Sequence, residues 1–342
     1  MKIAALLPNV EIYGGVRRYL ELGNELVKRG HEFTLFTPGG ERPDWLEFRG
    51  LTMSFGDMAG REFDIGLCGE YSILPRFDCL SARAKFFYFV LEGHKLEKAA
   101  ARRGYHCLGS SEGICRRIER RYGVPCLRAP GGINPGIFYP APRSAPRIQD
   151  AATQPGRGQD SSREFNVLCY GRIYKKRKGV RQVIRAVESL RRQFPGIRLV
   201  FFDSLVGADR RDPRPLIRTS VPFEFHLGLP QARLAWLFSR ADAFVSAERR
   251  AGWANTAAEA MACRLPVVCT PSGSRDFAFH ERTALVVPFG HWLLLRRQIR
   301  RLILDPALAG RLAGAGHEKI AEFTWAALAG RLETAFRDAL PN

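Results

Sequence analysis

The sequence predicts an α/β protein with two tandem domains, each a parallel sheet covered by helices on both faces. Three observations support this prediction. The chain has 342 residues, more than an ordinary single domain contains. In both halves, short apolar runs of strand length alternate with helical patterns. The segment 141–164 has hardly any large apolar residue, which is typical of a linker.

The first half opens with a βαβ unit. An apolar strand at 3–7 leads into a loop at 9–15 that ends in Gly14 and Gly15. The following helix keeps its apolar residues on one face and ends at Gly30. The remaining elements expected in this half are strands at 33–36, 64–68 and 85–91 and a helix that Ser110 or Ser111 caps and Gly123 ends.

The second half repeats this order with a strand at 166–170, a basic loop at 171–179 and a helix that begins at Val180. The remaining elements expected here are strands at 197–202, 243–246, 266–270 and 284–287 and helices near 234–238, 256–263 and 325–336. Two such sheets in tandem leave a cleft at the carboxyl ends of their strands, where open α/β sheets bind ligands.

Charge is the unusual feature of the composition. Lys and Arg number 53 against 34 Asp and Glu, a net charge of +19. Such a chain attracts anions: nucleic acid, an acidic membrane surface or phosphorylated ligands. A solvated basic surface is the alternative. No nucleic-acid-binding motif is present, and the aromatic residues do not alternate with the basic runs, so a nucleic-acid partner is not expected.

Localisation and redox state follow from apolar runs and cysteine spacing. No apolar run is long enough to span a membrane, and the first residues are too short for a signal-peptide core, so we expect a cytoplasmic protein. The eight cysteines form no C-x-x-C pair and are expected to be reduced, mostly buried thiols. No metal site and no resident cofactor are expected.

Gly14 and Gly15 precede Arg17 and Arg18 at the start of the first helix. Glycines let the backbone approach a ligand, and a helix start offers free N–H groups. Two arginines oppose the helix dipole there, a cost that an anionic ligand would offset. A solvent-facing pair that tolerates this cost is the equally weighted alternative.

The loop 171–179 is flanked by glycines and holds Arg172 and Lys178 between a strand and a helix. Its basic side chains could clamp a diphosphate. A solvated basic loop would explain the charges but not the flanking glycines. Further on, Glu259 sits inside an Ala- and Met-rich helix, where a buried carboxylate needs a partner or the helix dipole.

The segment 251–268 resembles the donor-binding signature of family 4 retaining glycosyltransferases of the GT-B fold, E-G-F-G-x-x-x-x-E-A-M-A-C-G-x-P-V. The loop 171–179 resembles that family's G-R…K-G diphosphate clamp, and Gly14-Gly15 its amino-terminal glycine loop. The segment 130–138 resembles its P-N-G-V-D-x-x-x-F turn, and Trp325 its final F-x-W. Together these motifs span nearly the whole chain in the family's order.

The resemblance implies a role for each matching residue. Glu259 would accept hydrogen bonds from the nucleotide ribose, while Arg172 and Lys178 would bind the diphosphate and stabilise its departing charge. His94 falls near the family's active-site histidine; the alternative is a surface or capping role. The other residues assigned to donor binding are Gly14, Gly15, Gly252, Trp253, Asn255 and Thr256.

Three positions depart from the family pattern. Ala251 replaces the first Glu of the family's E-x7-E pair, which contacts the donor sugar, and Glu248 lies three residues earlier. Arg264 replaces the Gly after Cys263, so a different helix end is expected. Asn134 replaces the usual Asp. These departures leave the implied nucleotide-diphosphate site intact.

The expected fold is therefore GT-B: two Rossmann-like doubly wound domains with a C-terminal helix that returns to the first. The expected bounds are 1–140 for the acceptor-side domain, 141–164 for the linker, 165–322 for the nucleotide-sugar domain and 323–342 for the final helix.

The expected function is retaining, metal-independent transfer of a sugar from a nucleotide-diphosphate donor, which acts as co-substrate. The acceptor would be a saccharide, a lipid-linked molecule or another cell-envelope component, with an anionic membrane surface as a further partner. Within enzymes, an epimerase or phosphorylase of the same fold stays open. A degenerate nucleotide-sugar-binding protein and a basic anion- or nucleic-acid-binding protein are the alternatives from other classes.

Overall fold

The computed structural model describes residues 1–142, 164–204 and 211–340. They form two compact units. The first contains Met1–Gly132, Ala251–Trp253 and Phe323–Asn342, and the second contains Ile133–Arg250 and Ala254–Glu322. Except for residues 141, 142 and 164, the predicted linker lies outside the described residues. The predicted domain bounds therefore stay predictions.

The first unit is built on a seven-stranded sheet whose strands all run parallel. The strands are β1 (Lys2–Leu6), β2 (Glu32–Thr37), β3 (Leu51–Ser54), β4 (Phe63–Cys68), β5 (Ala82–Phe89), β6 (His106–Gly109) and β7 (Cys126–Arg128). Its first helices are α1 (Gly14–Lys28), α2 (Leu74–Asp78), α3 (Glu97–Ala101) and α4 (Glu112–Tyr122). The order β3-β2-β1-β4-β5-β6-β7 reverses direction between β1 and β4.

The second unit holds a six-stranded parallel sheet in the order β10-β9-β8-β11-β12-β13. The strands are β8 (Phe165–Tyr170), β9 (Ile197–Asp203), β10 (Phe223–Leu227), β11 (Ala243–Val245), β12 (Val267–Cys269) and β13 (Leu285–Val286). The helices are α5 (Val180–Glu188), α6 (Leu234–Arg240), α7 (Asn255–Ala262), α8 (Trp292–Leu304) and α9 (Pro306–Ile320). Dinucleotide-binding α/β domains have this strand order, with its reversal between the first and fourth strands.

The last helix, α10 (Trp325–Ala339), belongs to the first unit. The Thr324 hydroxyl caps it by accepting a hydrogen bond from the Ala327 amide at 3.1 Å. Phe336 is fully buried and packs against Phe86 of β5, with ring centroids 4.9 Å apart. The return of the C-terminal helix to the first domain and the two-sheet fold class are thus both confirmed.

The central strands are covered on both faces, which explains why β1 and β11 are apolar almost throughout rather than alternating. In β1, Ile3 and Ala5 pack on the side of α1 and α10, while Ala4 and Leu6 pack in a separate cluster on the opposite face. None of the helices in the described residues is long and apolar enough to cross a membrane.

Several elements differ from the predictions. The predicted loop 9–15 is too long, because α1 begins at Gly14 and both glycines lie in its first turn; Tyr13 before it is extended, with φ −126° and ψ 150°. In α4, the Ser111 hydroxyl caps the helix and Gly123 ends it with φ +71°, as predicted. The elements that were not predicted are β3, β6, β7, β10, α2, α3, α8 and α9.

Candidate functional site

The second sheet reverses its strand order between β8 and β11, and the loops after these strands carry the predicted basic residues. The loop 171–179 follows β8, and Glu248 lies in the loop after β11. Ligands of open α/β sheets bind outside the carboxyl ends of the strands at such a reversal. Arg172, Lys178 and Glu248 therefore lie where this kind of sheet binds its ligand.

Arg172 is paired with Asp203, the last residue of β9. Its Nε lies 3.1 Å from both carboxylate oxygens, and its Nη2 donates to Oδ1 at 2.7 Å and to the Ser204 carbonyl at 2.8 Å. The side chain of Asp203 is fully buried. Asp203 was not among the predicted site residues, although a carboxylate at the end of a buried strand is a signal that could have indicated it.

Tyr170 lies beside both predicted clamp residues. Its ring centroid is 5.3 Å from Cζ of Arg172 and 5.1 Å from Nζ of Lys178. Burial raises the pKa of the Tyr170 phenol well above its ordinary value, and the Asp203 carboxylate adds to this. Burial alone would lower the pKa of Arg172, but its hydrogen bonds to Asp203 raise it. The phenol stays neutral and the guanidinium stays charged.

Lys178 is also paired with a carboxylate. Its Nζ donates to Oε1 of Glu248 at 2.5 Å, and Nη1 of Arg177 lies 3.3 Å from the same oxygen. The Glu248 side chain is 7% exposed, against 18% for Lys178 and 41% for Arg177. The second clamp cation thus faces a single carboxylate oxygen and stays partly open to solvent.

The glycines that flank the basic loop are required by close approaches. Gly179 has φ +67°, and a Cβ built on it would lie 2.2 Å from the carbonyl oxygen of Ala247. A Cβ on Gly171 would lie 2.5 Å from the Phe225 ring. No side chain fits at either position, which explains the flanking glycines independently of any ligand.

Glu259 lies in the middle of α7 and is 7% exposed. Burial and the nearby Glu259 carboxylate raise the pKa of the Cys263 thiol to about 12. Asn255 and Thr256 form the first turn of α7, which begins without a side-chain cap. The backbone amide of Ala254 instead donates to the Gly273 carbonyl at 2.9 Å.

Gly14 and Gly15 start α1 in the first unit, and a Cβ on Gly15 would meet no atom within 4 Å. Arg18 does not match either interpretation of the basic pair, because it is 3% exposed. Its Nη1 donates to the Tyr88 hydroxyl and, at 3.1 Å, to the Ala129 carbonyl. Arg18 is therefore a buried structural residue.

His94 follows β5 in the first unit and stacks on Tyr71, with ring centroids 4.0 Å apart and planes 10° apart. Its Nδ1 accepts the Leu96 amide at 3.2 Å. The buried Glu97 holds this turn, since its carboxylate accepts the Gly93 amide at 2.7 Å and Nε of Arg117 at 3.0 Å. The surroundings of His94 are thus those of a fixed turn.

Gly252 and Trp253 belong to the first unit. A Cβ on Gly252 would lie 2.2 Å from the carbonyl oxygen of Val90, so only glycine fits against the end of β5. Trp253 is 5% exposed and lies against Phe323, with ring centroids 5.3 Å apart. Ala251 pairs with Leu91 in an antiparallel bridge, so its place is fixed by backbone contacts.

The predicted site residues divide between the two units. The structure brings together Arg172 and Lys178 in the second unit, where α7 also carries Asn255, Thr256 and Glu259. The first unit contains Gly14, Gly15, His94, Gly252 and Trp253. In the described residues, no group of three His, Cys, Asp or Glu side chains is arranged to hold a metal ion.

The expectation of a different helix end at Arg264 is wrong. Arg264 adopts φ +56°, the left-handed conformation that a glycine would take after a helix, and its amide donates to the Met261 carbonyl at 2.9 Å. The backbone of a glycine-terminated helix is therefore kept, at a steric cost for the arginine.

A family model described as glycosyl transferases group 1 matches residues 154–319. The second unit is a group 1 glycosyltransferase domain. Over 223 residues the chain is 30% identical to D-inositol 3-phosphate glycosyltransferase of Pseudarthrobacter chlorophenolicus, which covers 63% of this chain and 50% of the relative. The D-inositol 3-phosphate glycosyltransferase of Segniliparus rotundus is 27% identical over 223 residues, which make up 46% of its own length. The chain spans about half the length of these relatives.

Solved structures show that the chain has the GT-B fold. Sucrose-phosphate synthase from Thermosynechococcus elongatus superposes with a TM-score of 0.77 over 99% of this chain and 98% of its own, at 20% identity. Anabaena HepE in complex with UDP-glucose superposes with a TM-score of 0.70 over 99% of this chain and 100% of its own, at 13% identity. At these identities the likeness concerns the fold alone.

Proposed function

We propose that this chain transfers a sugar, with retention of anomeric configuration, from a nucleotide-diphosphate donor to an acceptor hydroxyl. The observation that carries the proposal is the pair Arg172 and Lys178 at the strand reversal of a group 1 glycosyltransferase domain. Two cations at the carboxyl ends of parallel strands suit a diphosphate, whose charge grows as the sugar departs.

The roles of the residues follow from this placement. Arg172 and Lys178 stabilise the charge that develops on the departing diphosphate, and such preorganised charge is usually the largest catalytic contribution. Glu259 accepts hydrogen bonds from the ribose hydroxyls, assisted by the first turn of α7 at Asn255 and Thr256. No metal ion takes part, because these cations supply the positive charge that the diphosphate needs.

The donor site is tested by thermal shift with UDP, GDP, ADP and their sugar conjugates. UDP is the first choice, since HepE was crystallised with UDP-glucose. A ligand that binds only the folded state raises the melting temperature. We expect one nucleotide to do so, and Glu259→Gln to lose the shift while Glu318→Gln, an exposed residue of α9, keeps it. The absence of any shift would contradict the donor site.

Because Ala251 replaces the Glu that contacts the donor sugar in the family, it favours a second candidate function: a protein that binds a nucleotide sugar without transferring it. It would show the same thermal shift but release no nucleotide from any donor and acceptor mixture. Transfer gives a glycosidic product whose anomeric configuration, measured by NMR, is that of the donor. An inverted product would contradict retention.

We also propose a saccharide, lipid-linked or other cell-envelope acceptor, presented at an anionic membrane surface. Among the basic residues in and next to α3 and α4 of the first unit, Arg103, Arg116 and Arg117 are paired with acidic residues. Four exposed cations have no acidic partner in the described part of the chain: Lys98, Arg102, Arg120 and Arg121. Arg102 also lines an apolar cavity of about 590 Å³. Anionic lipid headgroups complement such a face.

The membrane proposal is tested by flotation with vesicles that contain phosphatidylserine. Replacing the four unpaired cations by Ala should abolish flotation at physiological salt. The matched control replaces four ion-paired arginines of the same unit, Arg49, Arg103, Arg116 and Arg337. Both variants lose four charges, so equal losses would show a general charge effect rather than this face.

A further inference from the structure

Glu248 has no role in the sugar transfer described above. Its Oε1 accepts Lys178 Nζ at 2.5 Å and lies 3.3 Å from Arg177 Nη1. Its backbone carbonyl accepts the Thr270 hydroxyl, and the carbonyl of the preceding Ala247 lies against Gly179. The backbone of Glu248 is thus fixed on both sides while its side chain faces the basic loop.

The two clamp cations are neutralised in different ways. Asp203 is fully buried and both of its oxygens face Arg172, so that pair is a fixed part of the core. Glu248 offers one oxygen to Lys178, whose side chain is 18% exposed. Removing the partner of a buried charge is costly. Glu248 is itself 7% exposed, but it keeps Nη1 of Arg177 at 3.3 Å when Lys178 moves away, so this exchange leaves no carboxylate unpaired.

We propose that Glu248 is an internal counter-ion that holds Lys178 before a diphosphate binds and gives it up when one does. This inference rests on the proposed function. A diphosphate carries more negative charge than one carboxylate and outcompetes Glu248 for the ammonium. When the nucleoside diphosphate leaves, Glu248 takes Lys178 back. Glu248 therefore lowers the affinity for the diphosphate and speeds its departure.

The test is Glu248→Gln, which keeps the shape and an acceptor oxygen but removes the competing charge. We expect UDP, or whichever nucleoside diphosphate gives the thermal shift, to bind about tenfold more tightly by calorimetry, a difference of about 1.4 kcal/mol. Its dissociation rate, measured by stopped flow, should fall by a similar factor. The gain should shrink in 1 M salt, where charges are screened.

Two further variants separate competition from a structural effect. Glu281→Gln removes another ion-paired carboxylate of the second unit, 2.6 Å from Arg301, and should leave UDP affinity unchanged. Lys178→Ala removes the contested cation, so adding Glu248→Gln to it should give no tenfold gain. An unchanged or weaker affinity in Glu248→Gln alone would overturn the proposal, since Glu248 would then position Lys178 rather than compete for it.

Inorganic pyrophosphate serves as a second probe, because its binding requires the cations and no nucleoside. If the chain binds pyrophosphate but no nucleotide, the proposed function fails and the tenfold comparison still decides the role of Glu248. If neither the chain nor Glu248→Gln binds pyrophosphate or a nucleotide, both proposals are overturned.

Discussion

The buried pair between Arg172 and Asp203 leads to a sharp stability prediction. Changing Asp203→Asn removes one charge and leaves the guanidinium, whose side chain is 11% exposed, without a counter-ion. Breaking a buried pair in this way costs about 3–5 kcal/mol. Asn keeps one acceptor oxygen for Arg172, so we expect the lower end, about 3 kcal/mol. The free energy of unfolding from urea denaturation, followed by circular dichroism, measures this loss.

Asp212→Asn is the matched control. Asp212 also accepts a two-pronged hydrogen bond from an arginine in the second unit, with Nε and Nη2 of Arg214 at 2.9 and 2.7 Å. Its side chain is 35% exposed and that of Arg214 is 41% exposed. Exposed pairs contribute about 1 kcal/mol or less. The two variants therefore differ mainly in the burial of the charge that is left unpaired.

A second control replaces both members of the buried pair. Apolar residues of similar volume in place of a buried ion pair are often neutral, because two desolvation costs disappear together. Arg172→Met with Asp203→Leu should therefore unfold at higher urea than Asp203→Asn alone. Equal losses of unfolding free energy in Asp203→Asn and Asp212→Asn would contradict the cost assigned to a buried unpaired charge.

Three other measurements follow from the geometry. Arg264→Gly should raise the free energy of unfolding by about 1 kcal/mol, because glycine adopts φ +56° without the steric cost that arginine bears; a loss in urea denaturation would contradict this. Gly179→Ala should lower the melting temperature far more than Gly228→Ala, since both have positive φ but only Gly179 would place its Cβ against a carbonyl oxygen, at 2.2 Å. Cys79 should be the one thiol of the native chain that reacts fast with a disulfide reagent at pH 8, because the other seven cysteines are buried. All eight thiols should react in urea. A second fast-reacting thiol in the native chain would contradict this burial.

The sheet topology could be predicted because its evidence is local. Buried parallel strands appear as short apolar runs, and glycines mark the turns after them. The elements that were missed give weaker local signals. Strand β10 alternates apolar residues with Glu224 and His226, so it resembles an exposed segment, and β7 has three residues, of which only Cys126 is buried. Their strand character depends on pairing with β9 and β6, which the local pattern does not contain.

The site residues also divide into those that a local sequence pattern indicates and those that only the fold brings together. The flanking glycines and the basic residues of the loop 171–179 were visible as a pattern. Their partners were not, because Asp203 lies 31 positions from Arg172 and Glu248 lies 70 positions from Lys178. Likewise, the burial of Arg18 depends on a carbonyl 111 residues away. Only the folded sheet brings these groups together.

The pairing of both clamp cations does not remove the attraction for anions. The loop 171–179 carries five basic side chains, and the two carboxylates paired with it leave an excess of three positive charges. Asp203 fixes where Arg172 points, so its charge needs no rearrangement when a diphosphate arrives, which is what preorganised catalysis requires. Glu248 leaves Lys178 available at a small cost. Asp203 therefore holds Arg172 in place, and Glu248 sets how tightly the site binds its diphosphate.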